Sequence, residues 1–310
     1  MPRRVPLPRE FLRKPFAVGD ARAAGVGEGR LRGKDLERPF HGVRSSGGSR
    51  DTLLSFCRAY EPRLGAGQFF SHWTAAQLWR APLPYEFDPT ENLHVATRAP
   101  HRAPRSRFIT GHQVTDPLAS VRLRFGLPTA DPATTWLQLA RTLGEANLVA
   151  VADHLVLTPV YPEPTELRPY VTLDELSSRV AAYSGPGSRR AAAALERVRL
   201  GVESRPETLV RLMIVDAGMP EPEINPEVWS DDGEWLGRGD MVLRRWKVLV
   251  EYDGDQHRTN TAQYEKDMAR RERFRQAHWN GVYIRKRGLR YPAETVERVR
   301  TALLRAGWRP

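Results

Sequence analysis

The stretch DMVLRRWKVLVEYDGDQH, Asp240 to His257, decides how the rest of the chain is read. Met241, Val242 and Leu243 form a short apolar run, Arg244 to Lys247 interrupt it, and Val248, Leu249 and Val250 resume it before the acids begin. This is the pattern of two strands joined by a tight basic turn. Side chains alternate across a strand, so Glu251 and Asp253 share one side while Tyr252 lies on the other with Val248 and Val250. A register that sets Asp240 across from Glu251 or Asp253 gathers three carboxylates at one end of the hairpin. Such a group repels itself unless a hard cation sits within it, and Mg²⁺ takes oxygen ligands from carboxylates and substrate phosphate. The hairpin therefore predicts a divalent-metal site, for Mg²⁺ or Mn²⁺, on Asp240, Glu251 and Asp253.

The flanking residues suggest a polyanionic substrate. Gly254 lets the chain turn after the acids, His257 follows, and Gln263 to His278 has helical spacing with Lys266, Arg270, Arg271, Arg273 and Arg275 along it. Between Arg238 and Arg290 there are 14 Lys and Arg against 7 Asp and Glu, which gives +7 of the chain's formal +11. Acids at the centre with bases around them is the charge layout of an enzyme that cuts nucleic acid.

Five pieces in order carry a family resemblance: GVESRPETLVRLM (Gly201 to Met213), AGMPEPEIN (Ala217 to Asn225), Asp240, VEYDGDQH (Val250 to His257), and an Asp267 to Arg271 patch followed by HWNGVYIR (His278 to Arg285). The segment from Gly201 to about Leu289 resembles the small domains related to very-short-patch-repair endonucleases, a branch of the PD-(D/E)XK nuclease superfamily. The resemblance implies an α/β core with a mixed sheet, Glu207 on the first helix, Asp240 and Glu251 as metal ligands, and Mg²⁺-dependent phosphodiester hydrolysis. The superfamily's usual lysine is missing, because Asp253 stands two residues after Glu251. An acid there with a histidine soon after is common in this branch, which keeps the branch but leaves the general base unassigned, with His257 a candidate to accept a proton. Lys247 and Lys266 are then expected to steady transition-state charge, and Arg270 and Arg271 to neutralise phosphates. Glu207 also has a purely structural reading, as an acid stabilised by the dipole of its own helix.

A chain of 310 residues exceeds a typical single domain. Its pI near 10.2 calls for an acidic partner. DNA is favoured over membrane, with RNA left open. No segment approaches the roughly eighteen apolar residues of a membrane span, and the arginine-rich start lacks the apolar core of a secretory signal, so a cytoplasmic location is expected. The single cysteine, Cys57, rules out an intrachain disulfide and any multi-cysteine zinc site, and reads as a buried small hydrophobe.

Nearer the amino terminus, FAVGDARAAGVGEGRLRGKDLERPFHGV (Phe16 to Val43) reads as a short helix capped by Asp20 and stopped by Gly25, a second helix from Glu28 to Leu36, and a strand over Phe40 to Arg44. Helix, glycine turn, helix and strand outline a winged helix-turn-helix. With FAVGDARAAGV and HGV the stretch resembles the amino-terminal domain of AbiEi-type antitoxin and regulator proteins, and Arg30, Arg32 and Lys34 become candidate DNA contacts. A helical adaptor that binds nothing has the same outline. After a Gly/Ser linker the composition turns globular. Strands are expected at Asn92 to Thr97 and Arg107 to His112, around a basic loop that touches phosphate or is simply solvated. Two helices split near Gly144 are expected between Asp131 and Leu157. This region also resembles the AbiEi-like middle domain. His72, beside an apolar stripe and without a ligand-spaced partner, reads as a core or capping residue.

The expected fold is α/β, or α+β overall. A winged-helix-like module (1–50) and a mixed α/β middle domain (51–165) lead through a helical connector (166–200) to a restriction-endonuclease-like mixed sheet flanked by helices (201–310). The expected function is a Mg²⁺-dependent DNA endonuclease of defence or repair. The alternative is a DNA-binding regulator, the antitoxin of a toxin-antitoxin pair with a cognate toxin as partner.

Overall fold

The computed structural model describes residues 6–254 and 261–310, and the side chains of 261–264 are left aside. It is a mixed α/β protein of two compact units, one comprising Met1–Thr142 with Glu175–Arg189, the other Leu143–Asp174 with Arg190–Pro310. No helix among the described residues is long and apolar enough to cross a membrane.

The first unit begins with β1 (Phe16–Ala17), α1 (Val18–Ala23), α2 (Glu28–Leu31) and β2 (Val43–Arg44), with β1 antiparallel to β2. Gly25, at φ +82°, stops α1 as its sequence suggests. Asp20 does not cap α1, which starts two residues earlier, so the acid lies in the first turn. The second helix is a single turn rather than the nine residues expected, and two causes are visible. Gly29 and Gly33 weaken helix formation, and the Arg30 guanidinium folds back onto Asp35 at 2.8 and 3.1 Å. The expected strand shrinks to Val43–Arg44 because Phe40 turns inward to stack on Phe56, 5.4 Å between ring centres.

A five-stranded sheet forms the rest of this unit, from β3 (Phe69–Phe70), β4 (Leu93–Arg98), β5 (Ile109–Val114), β6 (Val121–Arg124) and β7 (Leu127–Ala130) in the order β5-β4-β3-β7-β6. The β4–β5 and β3–β7 pairs are parallel, and the other two are antiparallel. Leu93, Val95, Ile109 and Leu127 join the core with Phe56 from α3 (Leu53–Tyr60) and Leu78 from α4 (His72–Leu78). A reciprocal cap between Thr52 and Ser55 starts α3, and the Asp131 carboxylate caps α5 (Pro132–Leu139).

In the second unit α6 (Glu145–Val156), which Gly144 separates from α5, packs on α9 (Arg205–Asp216). The chain passes between the units within α7 (Leu173–Ala181) and α8 (Ser188–Glu196). The central sheet contains β8 (Glu223–Ile224), β11 (Met241–Leu243), β12 (Val248–Tyr252) and β13 (Asn280–Ile284), in the order β13-β12-β11-β8. Only β12–β13 is parallel. A separate hairpin pairs β9 (Glu227–Trp229) with β10 (Trp235–Arg238). The helices α10 (Thr261–Gln276), α11 (Lys286–Arg290) and α12 (Pro292–Arg305) complete the unit.

Strand alternation puts apolar residues on both faces of β12. Val248 and Val250 join Val210 and Ile214 of α9 and Val299 and Leu303 of α12. Leu249 joins Phe274 of α10, Trp279, and Val228 and Leu236 of the β9–β10 hairpin. A strand buried on both faces leaves its open end as the place where a polar side chain can project from a rigid frame.

Candidate functional site

Met241 pairs with Val250, Val242 with Leu249 and Leu243 with Val248, so the register carries Asp240 opposite Glu251. The turn between the strands is a 3-10 turn, Arg244–Trp246, closed by Lys247 in the left-handed region at φ +49°. Asp240 Oδ2 accepts a hydrogen bond from Tyr252 N at 2.9 Å, which fixes the carboxyl across the strand end. Glu251 is buried on the α10 face, the face that Leu249 shares.

Burial is the main reason that Asp240 is pushed up to about 6, and the neighbouring Glu251 pushes it further while Arg270 opposes both. Burial likewise raises Glu251, against Arg270 and Arg271. Glu207 is raised by burial and then by Asp240. Asp240 thus senses Glu251, and Glu207 senses Asp240, at one edge of the sheet. Each favours its proton there because water is largely excluded and like charge is close.

Each of these acids also has a protein partner. Glu207 is held in the first turn of α9: Ser204 Oγ donates to Oε1 at 2.6 Å, and Glu203 N and Asn225 Nδ2 donate to Oε2 at 3.1 and 3.0 Å. Ser204 caps α9 by accepting from Glu207 N, so the acid completes a capping arrangement as well as lying near Asp240. Arg270 Nη2 lies 2.6 Å from Glu251 Oε1 as an ion pair outside hydrogen-bond alignment, leaving that buried oxygen without a hydrogen-bond donor. Asp253 falls on the same side as Glu251, as strand alternation predicts, between Arg271 at 3.5 Å and Arg285 at 3.2 Å.

Not every expected residue joins this edge. Lys247 closes the opposite end of the hairpin and pairs with Asp231 at 2.6 Å. Lys266 is exposed on α10. His257 lies outside the described residues. In the first unit Arg30 is paired with Asp35 at 2.8 Å, Arg32 lies 4.0 Å from Glu28, and Lys34 is exposed. Asp240, Glu251 and Asp253 do not form a ready three-ligand set. Among the described residues, the group of His, Cys, Asp or Glu side chains with ligand atoms all within 4.8 Å of one another is His72, His94 and His112, in the first unit.

Asn225 and Arg238 belong to the site although sequence reasoning passed over them. Asn225 N donates to Asp240 O at 2.9 Å while its side chain reaches Glu207, so one residue ties two acids together. Arg238 donates to Asn225 O at 2.8 Å and pairs with Glu203 at 2.8 Å, and its own carbonyl accepts from Arg270 at 2.7 Å. The signal for Asn225 was its residue type: its backbone lies in the left-handed region at φ +49°, which asparagine adopts more readily than most residues. Comparison of the chain with protein-family models, curated proteins and solved structures finds no match.

Proposed function

We propose that the second unit is a divalent-metal-dependent phosphodiesterase acting on DNA. The observation that carries this reading is the register setting Asp240 opposite Glu251 at the open end of a buried hairpin, with Asp240 close enough to Glu207 to raise that acid's proton affinity. The donor set suits a hard cation: raised carboxyls lose their mutual repulsion when a cation joins them, and Glu251 Oε1 is a buried oxygen without a hydrogen-bond donor. Asp240 and Glu251 are the residues to hold Mg²⁺ or Mn²⁺, with Asp253 assisting. When bound, such an ion polarises the scissile phosphate and lowers the pKa of its water.

The chain's own residues do the rest. Tyr252 N and the β12 strand hold the two carboxyls on a rigid frame. Ser204 and Asn225 keep Glu207 beside Asp240, where it orients water. Lys266 faces solvent on the helix that runs along the site and meets backbone phosphate, and His257 takes the proton released by the attacking water.

A second reading is a nucleic-acid-binding regulator without catalysis, an antitoxin-like protein with a toxin partner. The Arg270–Glu251 ion pair favours it, because an arginine already supplies the positive charge that a cation brings. Incubation of supercoiled and mismatched DNA with Mg²⁺ or Mn²⁺, using wild type, Asp240→Asn and Glu251→Gln, separates the two. The nuclease reading expects nicking that falls about a hundredfold or more in either variant. Equal DNA binding by all three proteins, with no cleavage by the wild type, selects the regulator.

A further inference from the structure

The first unit brings together three histidines that the sequence keeps apart. His94 of β4 and His112 of β5 project from one face of the sheet, since β4 and β5 run parallel with His94 opposite Thr110 and Ala96 opposite His112. The opposite face carries Leu93, Val95 and Ile109 into the core. His72, first residue of α4, lies across the histidine face: its ring centre is 3.6 Å from that of His112 and 5.9 Å from that of His94. His94 Nδ1 and His112 Nε2 are 2.9 Å apart.

His72 is fixed by two further contacts. Its backbone lies in the left-handed region at φ +48°, which non-glycine residues adopt at a cost and which clusters at functional positions. The surrounding chain holds it there, with His72 N donating to Gln138 Oε1 at 2.8 Å. Ser71 Oγ lies 3.1 Å from His72 Nδ1. A partner on one ring nitrogen fixes the tautomer and leaves the other nitrogen to bind, as outer partners of metal-bound histidines do. His72 and His112 line a cavity of about 380 Å³ together with Gln113, Gln138, Arg141 and Tyr183.

We propose that His72, His94 and His112 bind one transition-metal ion of the zinc class, with a remaining coordination position open to this cavity. Three neutral imidazoles and no carboxylate select Zn²⁺, Co²⁺, Ni²⁺ or Cu²⁺ over Mg²⁺. A tetrahedral zinc ion with nitrogens at about 2.0–2.1 Å keeps them roughly 3.3 Å apart. The three candidate atoms already lie within 4.8 Å of one another, and because the His72 and His112 rings stack 18° from parallel, binding turns the rings so that their nitrogen lone pairs converge. Three protein ligands leave one position for water or a small anionic ligand, and Arg141 on the cavity wall favours an anion there. This site is independent of the carboxylate edge of the second unit.

The test is titration of tag-free, metal-free full-length protein with Co²⁺ and Zn²⁺, read by Co²⁺ visible absorption and calorimetry. With excess Mg²⁺ present to occupy the carboxylate edge, one Co²⁺ per chain is expected, with tetrahedral-type bands that Zn²⁺ removes. His94→Asn and His112→Asn should each weaken this tetrahedral binding by about a hundredfold or more, while the Asp240→Asn/Glu251→Gln double variant should show the same tetrahedral-type Co²⁺ bands as wild type. Undiminished binding by a triple His→Asn variant, or loss only in the carboxylate variant, overturns the proposal. Nitrogen-15 spectra of wild-type imidazoles need no variant: shifts at these three rings on Zn²⁺ addition are expected, and shifts confined to other histidines overturn the proposal.

Discussion

Asp153 of α6 and Arg211 of α9 meet at 3.4 Å with side chains that are each 1% exposed. Arg199 N and Thr208 Oγ1 both donate to the Asp153 carboxylate at 2.8 Å, and Arg211 donates to Arg197 O at 2.7 Å. Burial still pushes Asp153 up to about 6, against the pull of Arg211. Removing Asp153 leaves the buried Arg211 with only Glu221 as an acid partner among the described residues, at the half-exposed surface 3.2 Å from its other terminal nitrogen. Asp153→Ala is expected to destabilise the second unit by about 3–5 kcal/mol, measured by urea unfolding, and the Asp153→Ala/Arg211→Met double variant should recover part of that loss. A loss below about 1 kcal/mol for the single variant would show that the pair contributes little beyond packing. The sequence could show only that Asp153 and His154 point to different sides of a helix. The partner that explains Asp153 lies 58 residues away, and no local spacing reveals it.

Among the elements, α10 most affects the chemistry. Helical spacing in Gln263 to His278 announced it, and the helix runs Thr261–Gln276, anchored on the sheet by Phe274. Spacing also suggested that its arginines meet phosphates. Packed against the sheet, Arg270 and Arg271 face Glu251 and Asp253, because the helix lies along the face where those acids emerge. Under the proposed function a cation would compete with the Arg270 guanidinium for Glu251. Arg270→Met, which keeps most of the side-chain volume, is expected to tighten Mn²⁺ binding about tenfold, equivalent to about 1.4 kcal/mol, as read by Mn²⁺ paramagnetic resonance. Weaker Mn²⁺ binding in that variant would show that Arg270 supports the site rather than blocking it. The β11–β12 hairpin was more legible, since strand period and turn charge are local properties. The amino-terminal helix pair was less so: glycine content shortened the second helix, and the fork between Arg30 and Asp35 took an arginine that spacing alone left for DNA.

At the scale of the whole molecule, a formal charge of +11 overstates the positive charge left unpaired for the proposed DNA partner. Much of the basic segment around α10 is already paired: Arg244 with Glu223, Arg275 with Glu272 and Arg287 with Glu294, besides the arginines at the carboxylate edge. Each residue that neutralises a phosphate contributes about 0.9 to the slope of log affinity against log salt. Alanine at Lys266, Lys286 or Arg290 is expected to lower that slope by about 0.9 each, and alanine at Arg244, Arg275 or Arg287 to leave it nearly unchanged. Fluorescence anisotropy with a labelled duplex between low and moderate salt measures both sets. Equal effects in the two sets would mean that the acid partners give way to phosphate on binding.

The sequence by itself determined the mixed α/β class, the hairpin and its carboxylate end, the Gly25 stop of α1, and the basic helix. Each follows from periodicity, capping or charge within a few residues, the range over which backbone geometry acts. Tertiary structure alone decided which groups meet. It laid Arg270 on Glu251, tied Asp240 to Glu207 through Asn225, and closed His72, His94 and His112 into one cluster. Those meetings depend on strand pairing and helix docking between distant segments. There the free energy of burial, rather than local spacing, chooses each side chain's neighbours.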